Sequence, residues 1–304
     1  MESSRRNEMF KFITSTSDQR CGTYSRFITF GLIPFDLMMA YLGMQIDNPP
    51  QVFDWRNSTV SPEARLFIRL FVKKLIAEMM GIAVDLYELS PELNSSIPNN
   101  NIIEIGNNPD PLINFDGHYT CDTNPSIALS GHAADCPLIA IINIKTGARV
   151  VVHAGVSGLS NLILEQAVDW HFNNGSNPQD LMVHISPHAK TMVYPNSSQL
   201  LKRNTFLKDS LFTVGRDDQG HLDNTIIEMR AEERVVLPLT VAIYAILESR
   251  KIQRAQILVP DNYNSHRNPE WASLRRHRLE YPSGKFIPQP VYANMASVLV
   301  SIVK

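Results

Sequence analysis

The sequence lacks the features that define several common classes of protein. It has only three cysteines in 304 residues, too few for a disulfide framework in a chain of this length. It has no CxxC pair, HExxH, GxGxxG or Walker motif, and therefore no standard zinc motif, Rossmann site or P-loop. It also has no internal repeat and no long Gly/Ser linker. Ordinary globular structure, with thiol or metal chemistry in a reducing compartment, is what remains.

Neither sign of charge dominates the chain. It has 28 basic and 30 acidic side chains, for a formal net charge of −2. We therefore expect no nucleic-acid partner, because binding nucleic acid requires clustered Lys and Arg. The N-terminus has no apolar core of a secretory signal. The apolar segment Phe27–Ile46 contains Pro34 and Asp36, so we interpret it as buried core and expect a cytoplasmic protein without membrane contact.

The order of the predicted elements indicates the fold class. The N-cap, proline and acid of Ser61–Glu63 predict a helix that ends at Gly81. Helices and strands then follow in mixed order, without βαβ alternation, which favours layered α/β or α+β structure. We expect residues 1–304 to form a single domain. The other predicted elements are a loop at Ser95–Asn101, helices at 160–172 and 237–250, and strands at 181–185 and 256–259.

The most informative segment is a predicted hairpin in the middle of the chain. The β-rich runs Pro137–Ile144 and Ala148–Ala154 are joined by the turn Lys145–Gly147, which predicts two antiparallel strands. Cys136 opens the first strand and His153 closes the second. If these two positions are directly opposite, their Cβ atoms lie a few ångströms apart.

A cysteine and a histidine at one strand end are compatible with two chemistries. Both could bind zinc or copper(I), with His118 or His132 as a third ligand. Alternatively, His153 is a general base that activates Cys136 as a nucleophile. The structural alternative is a small buried thiol beside a hydrogen-bonded core histidine.

The C-terminal region is basic and is predicted to be a loop. The segment Asp261–Phe286 contains the adjacent residues Arg275 and Arg276. Two neighbouring guanidinium groups provide several fixed donors for a phosphate. A solvated charged surface is the alternative interpretation.

The central segment resembles the laccase-domain family. His132-Ala-Ala-Asp-Cys136-Pro, a predicted hairpin and His153-Ala-Gly-Val-Ser-Gly158-Leu are similar to the family's Thr-Ala-Asp-Cys, hairpin and His-Ala-Gly-Trp-Arg-Gly. The family, with YfiH and YlmD as bacterial members, is also described as multicopper polyphenol oxidoreductase or purine nucleoside phosphorylase. Asp116-Gly117 matches its Ala-Asp-Gly, and Ser273–Arg276 its Ser-x-Arg-Arg.

The resemblance implies a single YfiH-like α/β domain with a metal held by one cysteine and two histidines. Zinc is the expected metal, with copper less favoured. Cys136 and His153 match two of the ligands, and His132 is the candidate third. The family's other histidine lies upstream, where residues 97–104 contain none, so a metal-free site is the alternative.

The resemblance also implies a substrate. Family members phosphorolyse and deaminate purine nucleosides, so adenosine or inosine, with phosphate, is expected here. Arg275 and Arg276 would bind the phosphate. Ser157, in place of the family's arginine, would contact the substrate, and Asp135 would orient it or relay a proton.

A second branch of this architecture resembles the catalytic domain of cytotoxic-necrotizing-factor toxins. These use a Cys–His pair without metal to deamidate a glutamine of a host protein. Leu129-Ser-Gly131 is similar to the start of their Leu-Ser-Gly-Cys motif, with His132 at the cysteine position. This branch implies a hydrolase with Cys136 as nucleophile and His153 as base. A non-catalytic family member that binds a ligand or partner is the third hypothesis.

Overall fold

A computed structural model describes residues 12–16, 23–30, 35–44, 62–88, 102–105, 116–195, 234–261, 263–265 and 295–303. The helices are α1 (Phe35–Leu42), α2 (Pro62–Met80), α3 (Val156–Ser160), α4 (Ile163–Asn173) and α5 (Leu239–Ser249). The strands are β1 (Phe12–Thr16), β2 (Thr23–Phe30), β3 (Asp85–Glu88), β4 (Ile102–Glu104), β5 (Gly117–Thr120), β6 (Ile127–Ala133), β7 (Leu138–Asn143), β8 (Arg149–His153), β9 (Leu181–Ile185), β10 (Thr191–Pro195), β11 (Arg234–Pro238), β12 (Ile257–Leu258) and β13 (Met295–Val303).

The strands form two large mixed sheets and one small ribbon. The first sheet has the order β1-β2-β13-β6-β3, and the second has the order β12-β9-β7-β8-β5-β4. Strands β10 and β11 pair only with each other among the described residues. Most neighbours are antiparallel, whereas β3–β6, β4–β5 and β12–β9 are parallel. This mixture confirms the predicted α/β class with mixed layers.

The buried apolar side chains form three clusters, each of which lies between two layers of the fold. One cluster packs α1 and α2 against the outer face of the first sheet. A second joins the inner faces of the two sheets, and a third packs α3, α4 and α5 against the outer face of the second sheet. The order of layers is therefore helices, sheet, sheet, helices. Because both faces of the second sheet are covered, every residue of β7 is buried.

Several predictions about the elements are confirmed. Helix α2 buries Phe71 and Leu75, and the chain turns at Gly81, whose φ is 72°. In the apolar segment that begins at Phe27, the described residues belong to β2 and to α1 with the two residues after it, and the last of them is Met44. No helix of the described residues has the length and hydropathy needed to cross a bilayer. The loop predicted at Ser95–Asn101 lies outside the described residues.

Two predicted helices have different boundaries. The helix expected at 160–172 is α4, which begins three residues later, at Ile163, after Leu162 adopts a left-handed conformation with φ 67°. The short helix α3 precedes it and was not predicted. The helix expected from Leu237 begins at Leu239, because the backbone of residues 234–238 pairs with β10, so here sheet pairing overrides the local helical pattern.

Candidate functional site

The predicted hairpin is present, with a register that differs from the direct one. Strands β7 and β8 are antiparallel, and His153 is opposite Leu138 rather than opposite Cys136. The N–H of Ala154 donates to the carbonyl of Pro137 at 2.9 Å. The pairing therefore continues past the strand ends. Cys136 precedes β7 by two residues, so the same register places it opposite Gly155.

The thiol of Cys136 and the ring of His153 nevertheless approach the same point. A Cβ atom built on Gly155 would lie 2.8 Å from Cys136 Sγ and 3.6 Å from His153 Cε1. Glycine at this position leaves the sulfur its space, since real Cβ contacts are not as short as 2.8 Å. Cys136 is a free, half-buried cysteine, and the His153 side chain is 14% exposed. Neither residue is fully buried.

Asp116 joins this pair from the neighbouring strand. The backbone N–H of His153 donates to the Asp116 carbonyl at 2.7 Å, and Asp116 Oδ1 lies 3.5 Å from His153 Nδ1. Asp116 immediately precedes β5, which pairs with β8. The carboxylate is positioned to orient the imidazole and to stabilise its protonated form.

The sequence indicated Asp116 only as the first residue of an Asp-Gly dipeptide, and the structure explains why glycine follows it. A Cβ atom on Gly117 would lie 2.8 Å from Val152 Cγ1 and 2.9 Å from Ile102 Cγ1. Glycine therefore lets β5 fit between β4 and β8, which carries Asp116 to His153. Recognising β5 as the neighbour of β8 would have identified this residue.

A thiol, an imidazole and a carboxylate in this order are the components of nucleophilic catalysis. The imidazole takes the proton of the thiol, and the carboxylate holds the imidazole in its working orientation. The same imidazole can later return the proton to a leaving group. Cys136, His153 and Asp116 supply these three groups near Gly155.

Asp135 is adjacent to Cys136 in the chain, and two of its hydrogen bonds lead to other segments. Its carboxylate is buried and accepts a hydrogen bond from Ser265 Oγ at 3.0 Å. Its carbonyl accepts one from the Ala189 N–H at 2.9 Å. Asp135 therefore ties the Cys136 segment to the ends of two other parts of the chain.

The histidines considered as further ligands have different surroundings. His118 is fully buried on β5, and burial lowers its pKa to about 3. The backbone of His132 on β6 pairs with Ala296, while its side chain lies outside the described part of the structure. His132 therefore stays a predicted ligand, and His118 is a neutral core residue at physiological pH.

Two other histidines near a strand end are also core residues. His184 is fully buried, with Nε2 3.1 Å from Ser25 Oγ on the first sheet. His188 is fully buried beyond the end of β9. Burial lowers their pKa values to about 3 and about 4. Both side chains therefore remain neutral near pH 7.

The donor atoms do not fit a three-ligand metal site within the described residues. No group of three His, Cys, Asp or Glu side chains there is arranged to hold a metal ion. Cys136 and His153 provide two donors, and the Asp116 carboxylate faces the imidazole. A catalytic zinc normally has three protein ligands and one open position. The candidate site is thus one donor short in this part of the chain.

The predicted substrate-binding residues cannot be placed around this pair. Ser157 belongs to α3, two residues after Gly155, but its side chain is outside the described residues. Arg275 and Arg276 are outside them entirely. Their roles stay predictions.

Comparison with known proteins gives one family and a set of similar folds. Residues 93–287 match the family described as multi-copper polyphenol oxidoreductase laccase, and this range includes Asp116, Cys136 and His153. No curated protein matches the sequence.

Three solved structures are similar to the whole described fold. Neisseria meningitidis protein NMB0706 is 13% identical over 95% of this chain and 99% of that chain, with a TM-score of 0.62. Bacillus licheniformis hypothetical protein YfiH is 17% identical over 91% and 92%, with a TM-score of 0.59. YlmD from Geobacillus stearothermophilus is 16% identical over 92% of each chain, with a TM-score of 0.60. At these identities the similarity shows a shared YfiH-like fold.

Proposed function

Because the chain belongs to the multi-copper polyphenol oxidoreductase laccase family, we propose that it is an enzyme with Cys136, His153 and Asp116 at its reaction centre. The observation that carries the proposal is the convergence of Cys136 Sγ and His153 Cε1 on Gly155, with Asp116 Oδ1 3.5 Å from His153 Nδ1. These residues act as nucleophile, general base and orienting carboxylate. The proposed substrate is a purine nucleoside, which the resemblance to the laccase-domain family implies.

Deamination is the family reaction that this set of groups can perform. His153 removes the Cys136 proton, and Sγ bonds to C6 of adenosine while the electron pair of the C6=N1 π bond moves to N1. The pair returns to re-form C6=N1 as the C6–N6 bond breaks, His153 protonates the amine, and ammonia leaves. Water then attacks C6, the S–C6 bond breaks and the thiol is restored, so adenosine and water become inosine and ammonia. The carboxylate of Asp116 stabilises the imidazolium that forms in between.

Metal binding is implied by the name of the family. In this alternative, which excludes Cys136 as a free nucleophile, the ligands would be Cys136, His153 and His132, with zinc as the first candidate and copper as the second. The described residues supply two of these three ligands, and the deamination steps above are written without a metal. Phosphorolysis, the family's other implied reaction, would use phosphate held by Arg275 and Arg276, with Ser157 against the nucleoside.

A metal-independent glutamine deamidase is the second candidate. It is favoured by the contact of His153 with the Asp116 carboxylate, in a site where the described residues supply only Cys136 and His153 as metal donors. Cys136 Sγ would bond to the carboxamide carbon, ammonia would leave after protonation by His153, and water would hydrolyse the thioester to glutamate. This reaction uses the same three residues and releases the same product as the first.

Ammonia release from two substrates tests these proposals. The purified protein is incubated with adenosine, with and without phosphate, and separately with benzyloxycarbonyl-Gln-Gly. Inosine and ammonia support the nucleoside proposal, whereas glutamate and ammonia support the deamidase. Cys136→Ser should abolish either activity, and Cys121→Ser is the matched control. Turnover of neither substrate favours the non-catalytic family member.

A further inference from the structure

Three segments that are distant in sequence meet beside Cys136. The carboxylate of Asp135 accepts a hydrogen bond from Ser265 Oγ, 130 positions away, and its carbonyl accepts one from the Ala189 N–H. Asp135 and Ser265 are both buried, at 5% and 0% exposure. Removing a hydrogen bond from a buried polar group is costly, because water does not replace the lost contact.

His188 fixes the segment that carries Ser265. Its backbone N–H donates to the Tyr263 carbonyl at 2.7 Å, and its carbonyl accepts from the Ser265 N–H at 2.9 Å. Its ring stacks on the Tyr263 ring, with centroids 4.9 Å apart. Residues 263–265 are therefore held by both backbone groups of His188, and Ser265 contacts Asp135 from this segment.

The ring of His188 is itself held by two hydrogen bonds. Nδ1 lies 2.7 Å from the Ser186 carbonyl, so it carries the proton and donates. Nε2, 2.9 Å from Thr240 Oγ1, therefore accepts from that hydroxyl. Burial lowers the pKa of His188 to about 4, so the ring keeps this neutral form near pH 7. The His188 side chain thus contacts Thr240 of α5, Ser186 just after β9, and Tyr263.

We propose that Asp135 and Ser265 are positioning residues for the Cys136 thiol. Their hydrogen bond sets the backbone one residue before Cys136 and therefore the location of Sγ against Gly155 and His153. On this basis Asp135 acts through the backbone of its neighbour rather than on the substrate. The inference rests on the proposed function, in which Cys136 is the nucleophile, and a misplacement of about 1 Å can cost about a hundredfold in rate.

Alkylation of Cys136 tests this role without any substrate. The rate of its reaction with iodoacetamide is measured from pH 6 to pH 9 by peptide mass mapping in the full chain. Ser265→Ala and Asp135→Ala should each change this rate by about tenfold and shift its pH profile. Asp135→Asn should stay within about twofold of the wild type, because its amide oxygen still accepts from Ser265.

Two controls separate positioning from general damage to the fold. Ser126→Ala removes a serine hydrogen bond to Asn124 near the opposite end of β8, and should leave the Cys136 rate unchanged. The double variant of Asp135→Ala and Ser265→Ala should match either single variant, since both remove the same contact.

The result that overturns the proposal is an unchanged Cys136 rate and pH profile in Ser265→Ala. A slow Asp135→Asn beside an unaffected Ser265→Ala would also overturn it, and would assign the carboxylate a role through its charge. The proposed function fails separately, when wild-type protein with a reactive Cys136 turns over neither adenosine nor benzyloxycarbonyl-Gln-Gly.

Discussion

Asp116 holds His153 at two points, through a backbone hydrogen bond of 2.7 Å and a carboxylate 3.5 Å from Nδ1. The backbone hydrogen bond continues the pairing of β5 with β8, whereas the carboxylate contact is not part of the sheet. The Asp116 side chain, 19% exposed, is placed to orient the imidazole of His153. This relationship makes a specific prediction about Asp116.

Asp116→Asn should lower the rate of ammonia release by about tenfold to a hundredfold. An amide cannot stabilise the imidazolium as a carboxylate does, and the loss is smaller than the ~10⁴-fold effect of a fully buried triad aspartate because this pair is partly exposed. The measurement is kcat/KM on the better substrate, with circular dichroism to check folding. Asp85→Asn, which affects an exposed ion pair with Lys73, is the matched control and should keep wild-type turnover. Equal turnover in Asp116→Asn and the wild type would contradict the role of Asp116.

Gly155→Ala should impair the site more than it impairs the fold. The new Cβ would lie 2.8 Å from Cys136 Sγ, so the sulfur must move away, and overpacking of this kind costs about 1–3 kcal/mol. We expect at least about tenfold loss of ammonia release. The alkylation rate of Cys136 should change while that of Cys121 does not.

A second glycine variant serves as the control for stability. Gly175→Ala adds a Cβ with no atom within 4 Å, but at a φ of 77°, so it strains the backbone far from the thiol. It should lower the unfolding free energy by about 1 kcal/mol and leave Cys136 reactivity unchanged. If both glycine variants lose activity in proportion to stability, the contact at Gly155 has no specific role.

The pattern of residues predicted the hairpin because alternating and continuous apolar runs determine where strands occur. It could not predict the register of Cys136, since that depends on where the turn places the first paired residue. Asp116 was found only as part of a resemblance, because its neighbour β8 is more than thirty residues away in sequence. The family assignment succeeded because Asp135-Cys136 and His153-Ala-Gly155 are local motifs, which a single sequence can display.

Removal of metal should leave ammonia release unchanged. The proposed steps use only the side chains of Cys136, His153 and Asp116, and none of them needs a Lewis acid. The protein is treated with EDTA, dialysed, assayed and analysed for zinc and copper. Stoichiometric zinc that disappears in Cys136→Ala, with activity lost on chelation and restored by zinc, would contradict this prediction. His132→Ala would then test whether His132 is the third ligand.

The stability of the fold should fall as the pH is lowered from about 6.5 toward 4. Burial lowers the pKa values of His118 and His184 to about 3, and those of His171 and His188 to about 4. In the unfolded chain a histidine has a pKa of about 6.5, so in this window the unfolded state binds protons that the folded state does not. Stability therefore increases with pH here and is independent of these groups above about pH 7.

Each of these histidines should contribute up to about 1.4 kcal/mol per pH unit to that slope. His184→Gln keeps a polar partner for Ser25 but cannot take up a proton. The free energy of unfolding of this variant should therefore change less steeply with pH than that of the wild type, by the equivalent of about one bound proton. The measurement is the free energy of unfolding in urea at pH 5, 6, 7 and 8. Wild-type and variant curves that stay parallel across this range would show that His184 is already protonated in the folded protein, or that its burial is relieved by solvent.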